Sequence, residues 1–530
     1  MITVDEWLGT KKGTDRLRKH LFRVYGKDYK NVKDKLIFIQ SLLRLHRKTY
    51  GNLPTLIIRV PGRSNLMGRH IDHQYGMLNL VAIDKEIIFV ASPQNLPEIH
   101  VQNENAQKFP SMQFSTQIGQ KFLQLPWKHI IENQDLLNTF RETPGSWVNY
   151  LKGAYYKTGH HFKKKSLKGA NITVGGTIPL AAGLSSSSAI TLGMIKVLLE
   201  LNKFNISQKN LISLARDAEW FVGTRGGNGD HAALLYAEKD KIIQYSPREK
   251  QILNRGHFPN DYVLIVCVSH IPAEKSGKKR DIFNSRVLAY QVGLLLFKEQ
   301  FPRLEEKIKQ IDDLRPANLD IADGELLEML LSIPHSVEYS KLPQILEKYW
   351  ERLMKRFHFA DPPQHLKIRD VLIYGIAECK RSIRFLKLIL KHKLKSAGEL
   401  MNISHNGDRV IKFNKHMEPC NYKISYSQAY VRKLLTTAKM EKEQLQFEYL
   451  PGRYRCSIKE IDYLVDICTQ SEGVLGAQIS GGGLGGSCMA LVHKDYSTTV
   501  RKSIERQYRE HFHQNCRTYE CIPVDGVSLF

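Results

Sequence analysis

One loop, residues 179–189, constrains the fold of this chain more than any other stretch, because it joins a strand pattern to a helix pattern. Residues 170–174 alternate and are rich in β-branched side chains, as in a strand. After the loop, the apolar residues between Ile190 and Leu198 follow the spacing of a helix. The loop, PLAAGLSSSSA, would therefore gather backbone N–H groups and the positive end of a helix dipole around one point, which favours an anion. It lacks the lysine of a Walker A loop, so an anion site of another kind and a serine-rich helix cap without a ligand are both open.

The composition limits the number of domains and the class of partner. At 530 residues with 42% hydrophobic residues, the chain suits two or three domains with a large core. Its formal net charge of +25 favours anionic partners, such as nucleotides, acidic sugars, nucleic acid or a membrane surface. The charge is spread in short clusters, such as Lys163–Lys165, so solvated faces explain it better than a nucleic-acid groove. We therefore expect no nucleic-acid partner.

The cysteines and the apolar runs indicate the compartment. The eight cysteines form no C-x-x-C pair, which predicts buried, reduced thiols. The longest apolar runs, such as residues 262–268, have the length of a strand and cannot span a bilayer. Residues 1–7 do not resemble a signal peptide. These features predict a soluble, cytoplasmic protein with no membrane partner.

Three further stretches concentrate polar residues or glycine beside predicted strands and helices. Residues 63–74 follow a predicted buried strand that is expected to end at Pro61–Gly62. Residues 223–231 form a glycine-rich turn around Asp230, and residues 480–486 form another glycine loop before a strand. Asp230 alone could merely cap the helix that follows it, but several such loops with different polar side chains together predict a binding site.

These stretches, in this order, resemble the motifs of the GHMP small-molecule kinases, and most closely those of the galactokinase branch. The first motif is similar to Pro61–Asp72, the second to residues 179–189 and the third to residues 480–486. The resemblance covers roughly residues 30–300 and 375–530. Three shorter matches strengthen it, at residues 147–150, 401–405 and 456–462.

The resemblance implies an α+β fold of two domains with the active site in the cleft between them. We expect an N-terminal domain at residues 1–250, with the sugar motif and the ATP phosphate loop, and a C-terminal domain at residues 251–530. Residues 300–370 match nothing in the family; their charged, proline-punctuated helical pattern, with an apolar face around Leu326–Leu330, predicts a helical insert. We expect a monomer.

The resemblance also assigns roles to individual residues. Asp230 would be the catalytic base that accepts the proton of the anomeric hydroxyl, while Arg63 would keep it ionised and offset charge on the transferred phosphoryl group. The predicted sugar contacts are Arg69, His70, Asp72, Gly227 and Phe283. The predicted ATP contacts are Trp147, Pro179, Gly183, Leu184, Ser185, Ser186, Ser187 and Ser188. The predicted Mg²⁺ ligands are Ser187 and Glu219.

Several of these assignments have alternatives. Trp147 would pack beside adenine, or it would be a core aromatic residue. The helix before Asp230 is out of phase with the family pattern, which weakens the assignment of Glu219. Phe283 stands where the family usually has a tyrosine, so a hydroxyl is lost. Arg69 stands where galactokinases usually carry a glutamate that accepts a hydrogen bond from the sugar.

This arginine leaves the substrate open. A guanidinium binds a carboxylate in a bidentate manner, so galacturonic or glucuronic acid is an alternative to galactose. In the other interpretation, Arg69 turns away from the sugar and pairs with a neighbouring acid. The leading prediction is an ATP-dependent sugar kinase that makes a sugar 1-phosphate from galactose or a related sugar. A sugar sensor of the same fold without catalysis is the alternative from a different class.

Overall fold

A ten-stranded sheet and a four-stranded sheet organise the described part of the chain, together with two two-stranded ribbons. The computed structural model describes residues 1–530 apart from 27–31, 119, 144, 165, 181, 224–225, 274–276, 355–356, 358, 360 and 441–444, so Ala181, Thr224 and Arg225 of the predicted loops lie outside the described residues. The strands are β1 (Ile2–Thr3), β2 (Pro54–Met67), β3 (Leu78–Gln94), β4 (Glu98–Asn103), β5 (Met112–Ser115), β6 (Gly169–Gly176), β7 (Lys241–Ser246), β8 (Gln251–His257), β9 (Tyr262–Val268), β10 (Val337–Glu338), β11 (His365–Leu366), β12 (Lys412–Phe413), β13 (Pro419–Cys420), β14 (Val474–Ser480), β15 (Ser487–His493), β16 (Arg517–Cys521), β17 (Pro523–Val524) and β18 (Ser528–Leu529).

Helices cover the faces of both sheets and form most of the insert. They are α1 (Val4–Gly9), α2 (Lys11–Tyr25), α3 (Val32–Tyr50), α4 (Gln120–Gln124), α5 (Trp127–Glu132), α6 (Gln134–Asn138), α7 (Val148–Phe162), α8 (Ser186–Asn202), α9 (Gln208–Glu219), α10 (Gly229–Tyr236), α11 (Gly277–Gln300), α12 (Pro316–Leu319), α13 (Asp323–Met329), α14 (Leu342–Ile345), α15 (Trp350–Met354), α16 (Ile368–Leu390), α17 (Leu394–Asp408), α18 (Gln428–Met440), α19 (Lys459–Gln470) and α20 (Ser497–Phe512). Among the described helices, none has the length and apolar character that crossing a bilayer requires.

The central strands of the large sheet, β2, β3 and β6, are buried on both faces. Its main path runs β1-β2-β3-β6-β4-β5, with β7 and β17 paired to β3, β8 to β7 and β18 to β2. Strands β4 and β6 are parallel, and the other pairs are antiparallel. Because successive side chains of a strand point to opposite faces, Phe89 of β3 joins the main core while Ile88 and Val90 pack with α1–α3 on the other face.

The strand before the first motif does not end where the sequence predicts. Pro61 and Gly62 lie within β2, and the pairing of β2 with β3 shifts register between them. A β-bulge of this kind accommodates a proline inside a sheet. The strand therefore continues to Met67, and Arg63 sits on it opposite Ala82.

The small sheet belongs to the second half of the chain and runs β14-β15-β9-β16, all antiparallel. Helices α19 and α20 supply its core. The division at residue 250 stays a prediction, and two parts of the large sheet lie beyond that residue. Strand β8 extends the sheet to His257, and the end of the chain returns to it, where Val524 pairs with Ala82 and Leu529 with Ile58. Arg59 fixes this return, because its Nη1 donates to the carbonyls of Asp525 and Gly526, both at 3.0 Å.

The described parts of residues 300–370 form short helices, α12–α15, and the ribbon β10–β11. The predicted apolar face packs inward, since Leu326, Leu327 and Leu330 are fully buried in the main core and Met329 packs against it. The eight cysteines are all free thiols; seven are buried and Cys420 is half-buried. The predicted α+β class is thus confirmed.

Candidate active site

Arg63 joins the first sheet to the serine loop. Its backbone N–H donates to the carbonyl of Leu184 at 3.2 Å. Its side chain donates from Nε to Oδ1 of Asp230 at 2.7 Å and from Nη2 to Oδ2 at 2.8 Å, which is the bidentate geometry that a guanidinium and a carboxylate prefer. The remaining Nη1 donates to the carbonyl of Gly183 at 2.6 Å. One buried arginine therefore holds both the loop and the carboxylate.

Asp230 lies in the first turn of α10 and is held as a carboxylate. Ser185 Oγ donates to its Oδ2 at 2.5 Å, in addition to the two bonds from Arg63. Burial raises the pKa of Asp230, but the charge of Arg63 and the hydrogen bonds from Arg63 and Ser185 outweigh it and hold the pKa below its usual value. The side chain keeps 36% of its surface exposed, against 8% for Arg63. The ionised side chain of Asp230 is therefore partly exposed to solvent, and it does not cap the helix.

The serine loop opens a helix and does not act as a conventional cap. Ser185 is the N-cap residue of α8, with a left-handed φ of 64° and no hydrogen bond from its side chain to the helix backbone. Its hydroxyl goes to Asp230, so the backbone N–H groups of the first turn have no capping side chain. Ser186 and Ser187 in that turn are half-buried. This arrangement supports an anion site at the N-terminus of α8.

The residues predicted to hold Mg²⁺ lie on neighbouring helices, α8 and α9. Ser188 Oγ donates to Oε2 of the buried Glu219 at 2.7 Å, and His231 Nε2 lies 3.2 Å from the same oxygen. Glu219 thus accepts a hydrogen bond from Ser188, the residue after the predicted ligand Ser187, and Ser187 as a Mg²⁺ ligand stays a prediction. Hydroxyl and carboxylate oxygens are ligands that Mg²⁺ accepts, so the donor set fits the predicted ion.

The backbone of the third motif loop, residues 480–486, lies directly against the backbone of the serine loop. A Cβ at Gly183 would lie 2.7 Å from the carbonyl oxygen of Ser480, and one at Gly481 would lie 2.9 Å from that of Gly183. Both glycines have left-handed φ values, 70° and 72°. Ser487 Oγ also donates to the carbonyl of Ala182 at 2.5 Å. The structure therefore brings the loop of the large sheet and the loop of the small sheet together.

Two of the predicted sugar contacts touch each other. A Cβ at Gly227 would lie 2.0 Å from Oδ2 of Asp72, so only a glycine leaves room for this carboxylate. Asp72 Oδ1 accepts a hydrogen bond from the backbone N–H of His73 at 2.9 Å. The carboxylate keeps 26% of its surface exposed. Phe283 of α11 is half-buried, with its ring centroid 6.3 Å from that of His70.

The side chain of His70 is buried and packs behind the other predicted sugar contacts. Its backbone is left-handed, with φ of 60°. Its ring stacks on Tyr454 with centroids 4.2 Å apart, and its Nε2 lies 3.3 Å from Oδ2 of Asp408. The side chain is only 2% exposed. Tyr454 and Asp408 are site residues that sequence reasoning missed.

Arg69 is placed differently from the predicted sugar contact. Its buried guanidinium donates from Nη2 to Ser404 Oγ at 2.8 Å and from Nη1 to the carbonyl of Ile479 at 3.1 Å. The same Nη1 lies 3.2 Å from Oδ2 of Asp408. The interior position has a physical reason, because a buried carboxylate needs a charged partner. Despite burial, His70 and Arg69 hold the pKa of Asp408 far below its usual value. The arginine is buried and pairs with an acid, which favours the second of the two interpretations, and its role toward the sugar stays a prediction.

The remaining predicted ATP contacts are Trp147, expected beside adenine, and the residues at the start and middle of the serine loop. Trp147 precedes α7, is nearly buried, donates from Nε1 to the carbonyl of Pro110 at 3.3 Å and packs edge-on against Phe109. Pro179 is half-exposed, and Leu184 is buried. The role of Trp147 beside adenine stays a prediction.

A serine-rich loop at a helix N-terminus, beside a carboxylate held by an arginine, is an arrangement typical of a phosphotransferase. Three family models match the chain: GHMP kinases N terminal domain at residues 149–238, Galactokinase galactose-binding signature at residues 44–93 and GHMP kinases C terminal at residues 431–510. The chain thus carries the N-terminal and C-terminal domains of the GHMP kinases together with the galactose-binding signature of the galactokinases. The predicted family is thus confirmed, and use of ATP follows from it.

Relatives and solved structures agree with this assignment. The chain is 24% identical to a galactokinase of Pyrococcus furiosus, over 89% of this chain and 99% of the relative. It is 23% identical to a galactokinase of Dictyostelium discoideum, over 95% of this chain and 94% of the relative. The structure of Lactococcus lactis galactokinase complexed with galactose superposes with a TM-score of 0.65 at 20% identity, covering 93% of this chain and 99% of that chain. That likeness shows a common fold.

Proposed function

We propose that the protein is an ATP-dependent kinase that phosphorylates the anomeric C1 hydroxyl of galactose. The observation that carries the proposal is the overlap of the galactose-binding signature with the site. Residues 44–93 contain both Arg63, which holds Asp230 and the serine loop, and Asp72, which lies against Gly227. Relatives named as galactokinases match nearly the full length of the chain, which supports the same substrate.

The contacts of Asp230 support a role in proton transfer. Its exposed carboxylate would accept the proton of the C1 hydroxyl as the oxygen attacks the γ-phosphorus of ATP. Arg63 would keep the carboxylate oriented and ionised, and its charge would also offset charge on the phosphoryl group. The first turn of α8, with Ser185, Ser186 and Ser187, would hold the phosphates at the helix N-terminus.

Mg²⁺ would be held at Ser187 and Glu219, with Ser188 fixing the orientation of the glutamate. When bound, the ion neutralises charge on the phosphates of ATP. His231 lies against the same carboxylate and would help to position it.

The sugar would lie against Asp72, Gly227 and Phe283, with His70 behind them. Asp72 offers an ionisable acceptor for sugar hydroxyls, and Phe283 offers an apolar surface. Because Arg69 is committed to Asp408 and Ser404, no carboxylate clamp is expected at that position, and a neutral sugar is favoured over a uronic acid. The eight free thiols support a reducing compartment, and we propose a cytoplasmic monomer.

The test is ADP release by the purified protein with Mg²⁺-ATP and a panel of free sugars: galactose, N-acetylgalactosamine, arabinose, galacturonate and glucuronate. We expect turnover with galactose and none with the uronates. Turnover confined to a uronate and lost in Arg69→Glu would contradict the proposal and restore the clamp. Absence of turnover with sugar binding still measurable would favour a sensor.

A further inference from the structure

A basic groove lies on the C-terminal half of the molecule, outside the site described above. It has a volume of about 710 Å³ and is formed by the start of α16, the segment 410–425 and the stretch 453–455. Small-molecule sites in proteins have volumes in this range. None of the groove-lining residues belongs to the three motif loops or to the predicted sugar and ATP contacts.

The groove concentrates positive charge that the described residues do not neutralise. Its cations are Arg286, Lys367, Lys423, Arg453 and Arg455. Within the described part of the chain, none of the five forms an ion pair. The one acid among the lining residues, Asp370, is already engaged, because its Oδ1 accepts from the backbone N–H of Tyr426 at 2.8 Å and lies 3.1 Å from Nε2 of His335.

One of these cations is partly buried without a partner. Nη1 of Arg453 is shielded from solvent and makes no hydrogen bond among the described residues. Burial and the nearby charge of Arg286 lower the pKa of Arg453, although Asp370 acts in the opposite direction. Buried polar groups are normally satisfied, so an unpaired guanidinium nitrogen beside other unpaired cations indicates an anionic ligand.

The rest of the lining suits a ligand with a compact uncharged body. Tyr422 contributes its ring, which is fixed because its hydroxyl donates to the carbonyl of Asn406 at 2.9 Å. Ile411 and Ile424 add apolar surface. A phosphate group among the cations with a sugar or base against Tyr422 matches this mixture of surfaces.

The groove shares a wall with the sugar residues. Tyr454, between Arg453 and Arg455 in the chain, stacks on His70 with ring centroids 4.2 Å apart. Arg286 lies one helical turn after Phe283 on α11, and its Nε donates to the carbonyl of Tyr454 at 2.6 Å. A ligand that draws these arginines together would act on the residues behind the sugar.

We propose that this groove is a second ligand site, separate from the catalytic site, that binds a phosphorylated ligand of sugar or nucleotide size. The proposal does not depend on which sugar the enzyme phosphorylates, and it can be tested by binding alone. The product of the reaction and an adenine nucleotide are two sources of the same chemistry, which the experiment separates.

Cys420 provides a native probe of the groove. It lines the groove, and it is the only one of the eight cysteines that is not buried. We would compare its rate of reaction with the anionic reagent 5,5′-dithiobis(2-nitrobenzoate) and with neutral 4,4′-dithiodipyridine. The exposed cations Lys423 and Arg455 should favour the anionic reagent, so the double variant Lys423→Glu/Arg455→Glu should lose at least about fivefold of that preference. The matched control is Lys395→Glu/Lys502→Glu, two exposed lysines elsewhere, which should keep it.

The second arm measures protection of Cys420 by galactose 1-phosphate, by ADP and by an RNA oligonucleotide, with galactose and sodium chloride of equal ionic strength as controls. We expect saturable protection by at least one phosphate ester, loss of it in Lys423→Glu/Arg455→Glu and retention in the lysine control. Unchanged reagent preference in the charge-reversed variant, or protection no greater than that given by chloride, would overturn the proposal. Protection only by an RNA oligonucleotide would overturn it in favour of a nucleic-acid site.

Discussion

Replacement of Gly227 by alanine should impair sugar use without affecting ATP use. The added Cβ would lie 2.0 Å from Oδ2 and 2.4 Å from Cγ of Asp72, well inside any tolerated contact. The backbone of Gly227 is not in the left-handed region, so alanine imposes no backbone strain of its own. Asp72 must therefore move by more than about 1 Å through its side-chain torsions, which costs about 0.5–1.5 kcal/mol.

The magnitude follows from the hydrogen bond that this movement removes. A hydrogen bond from a sugar hydroxyl to a carboxylate contributes about 1.5–3 kcal/mol. Its loss should lower kcat/KM for galactose by about 10- to 150-fold, mainly through KM, while KM for ATP stays unchanged. The free energy of unfolding should change little, because the added Cβ meets only the end of the Asp72 side chain, which can rotate.

Steady-state kinetics with each substrate varied in turn would measure this effect. The matched control is Gly226→Ala at the preceding position, where an added Cβ meets nothing within 4 Å. It should keep wild-type values. A Gly227→Ala enzyme with normal KM for galactose, or a Gly226→Ala enzyme with the same defect, would refute the argument that Asp72 and Gly227 form the sugar contact.

Three further changes test other parts of the account. Asp230→Asn should reduce kcat by about 10²–10⁴-fold while calorimetry still detects sugar binding; an unchanged kcat would remove Asp230 as the base. Arg63→Met should raise the pKa of Asp230, because the burial of the carboxyl group is then no longer offset by the cation. Since activity is lost as pH falls through that pKa, the low-pH side of the plot of kcat/KM against pH should move to higher pH. A low-pH side that does not move would mean that Arg63 does not keep Asp230 ionised. Asp408→Asn should destabilise the fold by about 3–5 kcal/mol in urea denaturation, since it leaves the buried Arg69 without its carboxylate. The exposed Asp495→Asn is its control, and equal stability of the two variants would contradict the buried pairing.

The sequence was sufficient to predict the loops but not all of their contacts. The small residues at 179–189 and 480–486 are typical of loops whose backbone lies close to another group. In the structure, the backbone of Gly183 lies against that of Ser480 and Gly481. The direction in which a side chain points could not be predicted in the same way, because it depends on residues distant in the sequence. Arg69 faces Asp408, a residue 339 positions away in the chain, and no local pattern marks that aspartate as its partner.

Two other differences have local causes. Pro61–Gly62 predicts the end of a strand, but a bulge lets β2 continue, and this is how Arg63 comes to sit on a rigid strand. In the serine loop, adjacent helical positions differ in direction by about 100°, so residue types alone do not specify that Ser188 donates to Glu219 while Ser187 does not. Both depend on backbone geometry that residue types alone do not specify.

The most direct measurement for the central claim is phosphorus NMR of a reaction containing the protein, Mg²⁺-ATP and galactose. We expect ADP and a sugar phosphate in equal amounts, with the new phosphorus resonance coupled to the anomeric proton. ADP formation that does not depend on galactose, or phosphate attached to a different hydroxyl, would contradict the proposed placing of the C1 hydroxyl beside Asp230.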